Sequence, residues 1–144
     1  MGYALLFSGQ GAQHAQMLSW VQHDRHVAAV EDRLGPDWRD RLEDPVWAGN
    51  NRRAQVLITG LALAAFEQLV AELGPPAVVA GYSVGELAAF CAAGVIDPDA
   101  ALALAAQRAA CMDAAAIQLD TGLMGIGGSR PGDLLGLCEA FDLD

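Results

Sequence analysis

The stretch "AVVAGYSVGELAAF", residues 77–90, decides the fold. Four small or branched apolar residues, Ala77 to Ala80, read as a short buried strand. Gly81-Tyr82-Ser83-Val84-Gly85 follows, and a helix-like run begins directly after it. G-x-S-x-G between a strand and a helix is the nucleophile-elbow pattern. Its physics is steric. The serine sits on a sharp turn, and strand and helix atoms come so close that the residues two before and two after it must be small. Gly81 and Gly85 meet that need. The turn also sets Ser83 at a helix N-terminus, where the Val84 N–H and the helix dipole favour a developing negative charge. The alternative is a glycine-rich turn whose serine only caps the helix. The context, Pro75-Pro76 before the strand and a helix after the motif, favours the nucleophile.

Upstream, YALLF (residues 3–7) reads as a second short strand, and Ser8-Gly9-Gln10-Gly11-Ala12-Gln13 as a glycine loop. In a parallel sheet both loops leave at the C-terminal edge of the strands, where ligands bind. A backbone N–H of the first loop is then a candidate second donor beside Val84. Its glycines follow neither the G-x-G-x-x-G nor the P-loop spacing, so a nucleotide site is weakly supported. Residues 15–34 predict a weakly patterned helix, broken by Gly35-Pro36-Asp37, and residues 37–53 are polar and partly irregular. Residues 54–73 form a long apolar helix closed by Gly74-Pro75-Pro76. A helix is expected over 84–93, with Gly94 as its stop. Asp97-Pro98-Asp99 opens another, reaching about Ala116, with Asp97 as cap and Pro98 in the first turn. A strand over 121–128 and a helix over 133–141 follow. Strands alternating with helices give an α/β fold with a parallel sheet. A further β-α unit after such a layer starts a second small domain, so the chain reads as the N-terminal part of a longer protein.

The composition narrows the function classes. The chain has 144 residues, is 53% hydrophobic and carries a formal charge of −10. All eight cations are arginines; six lie in residues 24–53 and only Arg108 and Arg130 beyond them. Such a surface argues against nucleic acid, which needs clustered cations. No apolar run reads as long and pure enough for a membrane span, and the N-terminus has no signal-peptide pattern, so a cytoplasmic location is expected. Cys91, Cys111 and Cys138 are far apart, form no C-x-x-C and read as free thiols. No metal-ligand spacing is present. Arg108, on an alanine-rich helix, is a surface arginine snorkelling from that helix, one paired with Asp113 or Glu86, or a planar fork for a carboxylate.

Three motifs in order, FSGQGAQ (7–13), GYSVGE (81–86) and QRAACM (107–112), resemble the malonyl-CoA:acyl-carrier-protein transacylase family. The resemblance implies an α/β-hydrolase-like core, here an incomplete one over 1–118, with the first β-α unit of a ferredoxin-like subdomain over 119–144. It implies that Ser83 takes a malonyl group from coenzyme A and passes it to an acyl-carrier-protein thiol, with no bound cofactor. The Gln10 and Val84 N–H groups would form the oxyanion hole, and Arg108 would bind the malonyl carboxylate. The chain departs from the family pattern at Tyr82, where histidine is usual, at Ser8, where proline is usual, and at Gln16, where glycine is frequent. The GYSVGE form resembles the acyltransferase (epsilon) subunit of malonate decarboxylase; a fatty-acid or polyketide transacylase is the alternative. A serine thioesterase with the same elbow, or an inactive half-domain that needs a partner segment, are the rivals. Serine needs a base, and in this family a histidine after the serine serves. His14, His23 and His26 all precede Ser83. The base is therefore expected from a C-terminal segment beyond residue 144, and His23 and His26 are expected at the surface.

Overall fold

A computed structural model describes residues 2–11, 13–117, 128 and 130–141. Strand β1 (Ala4–Phe7) is followed by α1 (Arg25–Leu34), two helical turns α2 (Trp38–Arg41) and α3 (Pro45–Ala48), and the long α4 (Asn51–Leu73). Strand β2 (Val78–Gly81), α5 (Gly85–Ala92), α6 (Pro98–Ala116) and α7 (Pro131–Phe141) complete the order. The two strands pair in parallel, Ala4 opposite Val78 through Phe7 opposite Gly81. Both following loops thus leave the same edge, as the α/β reading requires. The strand expected over 121–128 lies, but for Gly128, outside the described residues, as does the expected division between 118 and 119.

Helix α4 is the axis of the fold. One side packs with α1 through Val27, Val30, Leu57 and Leu61, and Trp38 and Trp47 close that cluster. A second side meets β1 and α5 through Leu63, Phe7, Ala88 and Ala89. A third meets α6 through Val56, Leu102 and Ala105. A helix covered on three sides is apolar nearly all round, and α4 is in fact long and apolar enough to cross a bilayer, with a mean hydropathy of 1.7 over its best window. This corrects the expectation that no run qualifies; here the same apolarity serves a core helix.

Local signals set the helix ends. Asp97 accepts a hydrogen bond from the Ala100 N–H at 2.7 Å, and Pro98 occupies the first turn of α6 as expected. Helix α1 starts later than the weak pattern from residue 15 suggests, because Asp24 caps it by accepting from the His26 and Val27 N–H groups at 2.8 and 2.9 Å. The Gln68 amide of α4 also donates to Asp24, at 3.1 Å. His26 is buried, 5% exposed, with Nε2 2.8 Å from Glu67 Oε2. The expectation that it lies at the surface is overturned: its partner stands on α4, and burial is tolerated because the ring nitrogen finds that carboxylate.

The Asp24 cap carries a pH signature. Burial pushes its carboxyl up, but hydrogen bonds from Val27, Gln68 and His26 outweigh burial and hold it below its ordinary value. Its contribution is complete above the unfolded pKa of about 3.9 and is lost as pH falls through the lower folded value. Asp24→Ala is expected to cost about 1 kcal/mol at neutral pH. The gap in melting temperature between wild type and variant should close as melts are repeated at increasingly acid pH; a gap independent of pH counts against a charged cap.

Candidate active site

The nucleophile elbow forms where β2 passes into α5. The Tyr82 N–H extends the parallel ladder by donating to the Phe7 carbonyl at 3.0 Å. The chain then reverses: the Gly85 N–H donates to the Tyr82 carbonyl at 3.0 Å, and Glu86 to Ser83 at 3.1 Å. Ser83 takes φ = 56°, a left-handed conformation that costs an L-residue about 1–2 kcal/mol. The small neighbours follow from the crowding. A Cβ on Gly85 would lie 2.5 Å from the Phe7 carbonyl oxygen, and one on Gly81 would lie 2.3 Å from the Gly85 carbonyl oxygen. The first glycine loop is pressed against the same turn. A Cβ on Gly9 would lie 2.8 Å from the Tyr82 ring and 3.3 Å from Ser83 Cβ.

Val84 is fully buried and anchors the elbow in the core, whereas Tyr82 is 78% exposed and Gln10 is exposed in the facing loop. Among the described residues, neither the Gln10 nor the Val84 N–H donates to a backbone acceptor. Of the two, Gln10 lies at the surface and Val84 is enclosed.

Arg108 comes to the serine from α6. Its Nη2 donates to Ser83 Oγ at 3.1 Å and its Nη1 to Gln55 Oε1 at 2.9 Å. The pairings with Asp113 or Glu86 weighed from sequence do not form; Asp113 instead accepts from the Asn51 amide at 2.8 Å. Gln55 was not singled out in the sequence. It is fully buried on α4, and its amide nitrogen donates to Asn51 Oδ1 at 2.8 Å and contacts Met112 Sδ at 3.4 Å. A lone amide inside the apolar run of a core helix was the available signal, since buried polar groups need partners. The resulting chain Ser83–Arg108–Gln55–Asn51–Asp113 runs along the seam of α4 and α6. It leaves several of the five N–H donors of Arg108 for a carboxylate.

The histidines do not join this group. His23 Nε2 lies 2.9 Å from Glu31, His26 pairs with Glu67, and among the described residues none bonds to Ser83. The three cysteines are unpaired. Burial, then Asp97, raise the Cys91 thiol above its ordinary pKa against the opposing effect of Arg25, which disfavours a reactive thiolate there.

A strained serine on a strand-to-helix turn, with a glycine loop beside it and a guanidinium on its hydroxyl, is the nucleophile-elbow arrangement on an α/β fold. Comparison with known proteins narrows that class. The malonyl CoA-acyl carrier protein transacylase of Mycobacterium tuberculosis is 35% identical over 154 aligned residues, which cover 97% of this chain and 49% of that protein. The crystal structure of an acyl-carrier-protein S-malonyltransferase from Burkholderia pseudomallei superposes with a TM-score of 0.67 at 28% identity, over 97% of this chain and 48% of that one. That of an MCAT from Streptococcus pneumoniae gives 0.63 at 32% identity, over 78% of this chain and 39% of that one. No family profile matches the chain. It spans about half the length of the curated relatives it matches. These similarities run to malonyl-CoA–acyl carrier protein transacylases; they lend no support to the malonate decarboxylase reading that Tyr82 suggested.

Proposed function

We propose that this chain carries the nucleophile of a malonyl-CoA:acyl-carrier-protein transacylase. Ser83 Oγ attacks the thioester carbonyl, the Gln10 and Val84 N–H groups hold the oxyanion, and coenzyme A leaves as its thiol. A carrier thiol then attacks the malonyl ester and regenerates the serine hydroxyl. One oxyanion donor is worth about 3 kcal/mol in comparable sites. The observation that carries the reading is the Arg108 guanidinium 3.1 Å from Ser83 Oγ, because a cation fixed at the nucleophile selects an acyl group with its own carboxylate. It also favours malonyl transfer over a plain thioesterase. The relatives favour a fatty-acid or polyketide type of carrier over the decarboxylase carrier as acceptor. The base in this reading is a histidine other than His14, His23 and His26, none of which bonds to Ser83 among the described residues.

Intact-mass analysis tests this. With malonyl-CoA, the chain should gain one malonyl group, mapped to Ser83, faster when imidazole is added as a substitute base. Ser83→Ala should gain none. A chain that stays unmodified under both conditions, or is modified elsewhere, overturns the reading.

A further inference from the structure

Two side-chain amides stand between the guanidinium of Arg108 and the surface, and their neighbours leave each only one way to face. Arg108 has donors only. Its Nη1 donates to Gln55 Oε1 at 2.9 Å, so the Gln55 amide nitrogen points away from it. That nitrogen donates to Asn51 Oδ1 at 2.8 Å. Asn51 Nδ2 then faces α6, where it donates to Asp113 Oδ1 at 2.8 Å and to the Ala109 carbonyl at 3.3 Å. A carboxylate and a backbone carbonyl only accept. Turning Gln55 over would set its NH2 group against the guanidinium. Turning Asn51 over would set NH2 against NH2 on one side and oxygen against two oxygens on the other. The order of donors and acceptors is therefore fixed from both ends.

The two amides differ in what they can lose. Gln55 is fully buried, Asn51 is half-buried and Asp113 is exposed. The other partner of the Gln55 nitrogen is Met112 Sδ at 3.4 Å, and a thioether is a weak acceptor. Among the described residues, Asn51 Oδ1 is thus the strong acceptor of that buried nitrogen. Asn51 is the first residue of α4, one helical turn before Gln55, so the two side chains share a face. Ala109 and Asp113 lie one turn apart on α6 and share a face in the same way. Asn51 ties the two helices together and holds Gln55 from behind.

We propose that Asn51 is a positioning residue: by holding the Gln55 amide it keeps the Arg108 guanidinium aimed at the acyl carboxylate, and so contributes to the choice of malonyl over acetyl. This rests on the transacylase reading. Asn51 acts through Gln55 and makes no bond to Ser83 among the described residues. Without Asn51 Oδ1 a buried amide nitrogen loses its acceptor, which is costly enough to turn the side chain. Gln55 Oε1 then leaves Arg108, whose guanidinium keeps only its bond to the serine.

Time courses of adduct formation on the 144-residue chain test this. Asn51→Ala should slow malonyl loading of Ser83 about tenfold and change acetyl loading by less than about twofold. A general loss of packing would slow both alike. Asn51→Asp removes the donor and sets a second carboxylate against Asp113, so it should also slow malonyl loading. The exchanged pair, Asn51→Asp/Asp113→Asn, restores one donor and one acceptor at that contact and leaves an oxygen for Gln55. Its malonyl loading should return to within about twofold of wild type. An aspartate in the first turn suits the helix dipole, so these two variants keep the start of α4. Equal slowing of malonyl and acetyl loading in Asn51→Ala overturns the proposal, as does an exchanged pair no faster than Asn51→Asp alone. A second readout needs no acyl donor. By 15N NMR, the side-chain amide protons of Gln55 should exchange with solvent at least about tenfold faster in Asn51→Ala than in wild type. Equal exchange in the two proteins also overturns the proposal. If wild-type Ser83 takes an acyl group from neither donor, the transacylase reading falls, and the exchange rates alone decide whether Asn51 holds Gln55.

Discussion

Replacing Arg108 with alanine should slow malonyl loading of Ser83 by roughly a hundredfold while acetyl loading is spared or rises. The guanidinium is held from two sides, by Gln55 Oε1 at 2.9 Å and by Ser83 Oγ at 3.1 Å. A malonyl carboxylate arriving beside the serine would meet a fork already in place, and alanine would leave that carboxylate desolvated and unpaired. An acetyl group has no carboxylate to lose. For it the substitution removes only a donor to the serine oxygen and opens space. Parallel time courses of adduct formation from malonyl-CoA and acetyl-CoA give the ratio. Should both rates fall equally, Arg108 orients the serine and does not read the acyl chain.

Gly85→Ala should lower the melting temperature by about 10 °C and abolish Ser83 modification. The added methyl would stand 2.5 Å from the Phe7 carbonyl oxygen and 2.6 Å from that of Ser8. These are backbone atoms at the end of β1 and cannot rotate aside. Relief requires α5 to move off the strands, which unpacks Ala88 and Ala89 from Phe7 and Leu63. Overpacking of a tight site costs about 1–3 kcal/mol, and clashes with fixed backbone lie at the upper end. The elbow would relax with the helix, so the serine would lose its place between the two loops. A variant that melts within a degree or two of wild type and still takes the acyl group would show that the crowding is not a constraint.

What the sequence reveals here depends on the range of the physics. The demand for glycine at 81 and 85 is local, and it is written in a five-residue pattern. The cap at Asp97 and Pro98 is local too, and both stand at the start of α6 as the sequence predicts. Parallel pairing of β1 with β2 follows from the alternation of elements, and it brings the Ser8–Gln10 loop to the Tyr82–Ser83 turn. The burial of His26 is different. It depends on Glu67, distant in sequence, and a polar neighbourhood along the chain gave the opposite impression. The start of α1 is set by Asp24 and its link to Gln68, a contact across 44 residues that a diffuse helical pattern does not contain. Gln55 was hidden for the same reason: an amide on a core helix acquires meaning only when Arg108 is packed against it. Arg108 itself was legible through its scarcity, as one of two cations after residue 53.

The two-stranded sheet has a consequence for how the chain behaves in concentrated solution. Each strand has one strand neighbour among the described residues, and its other edge has no ladder partner among them. Leu6 is 75% exposed and Val78 58%, which makes those edges sticky. Edge-to-edge pairing of copies is the expected result at high concentration, and Val78→Lys should lower the mass seen by light scattering there; a mass equal for both proteins at every concentration would count against it.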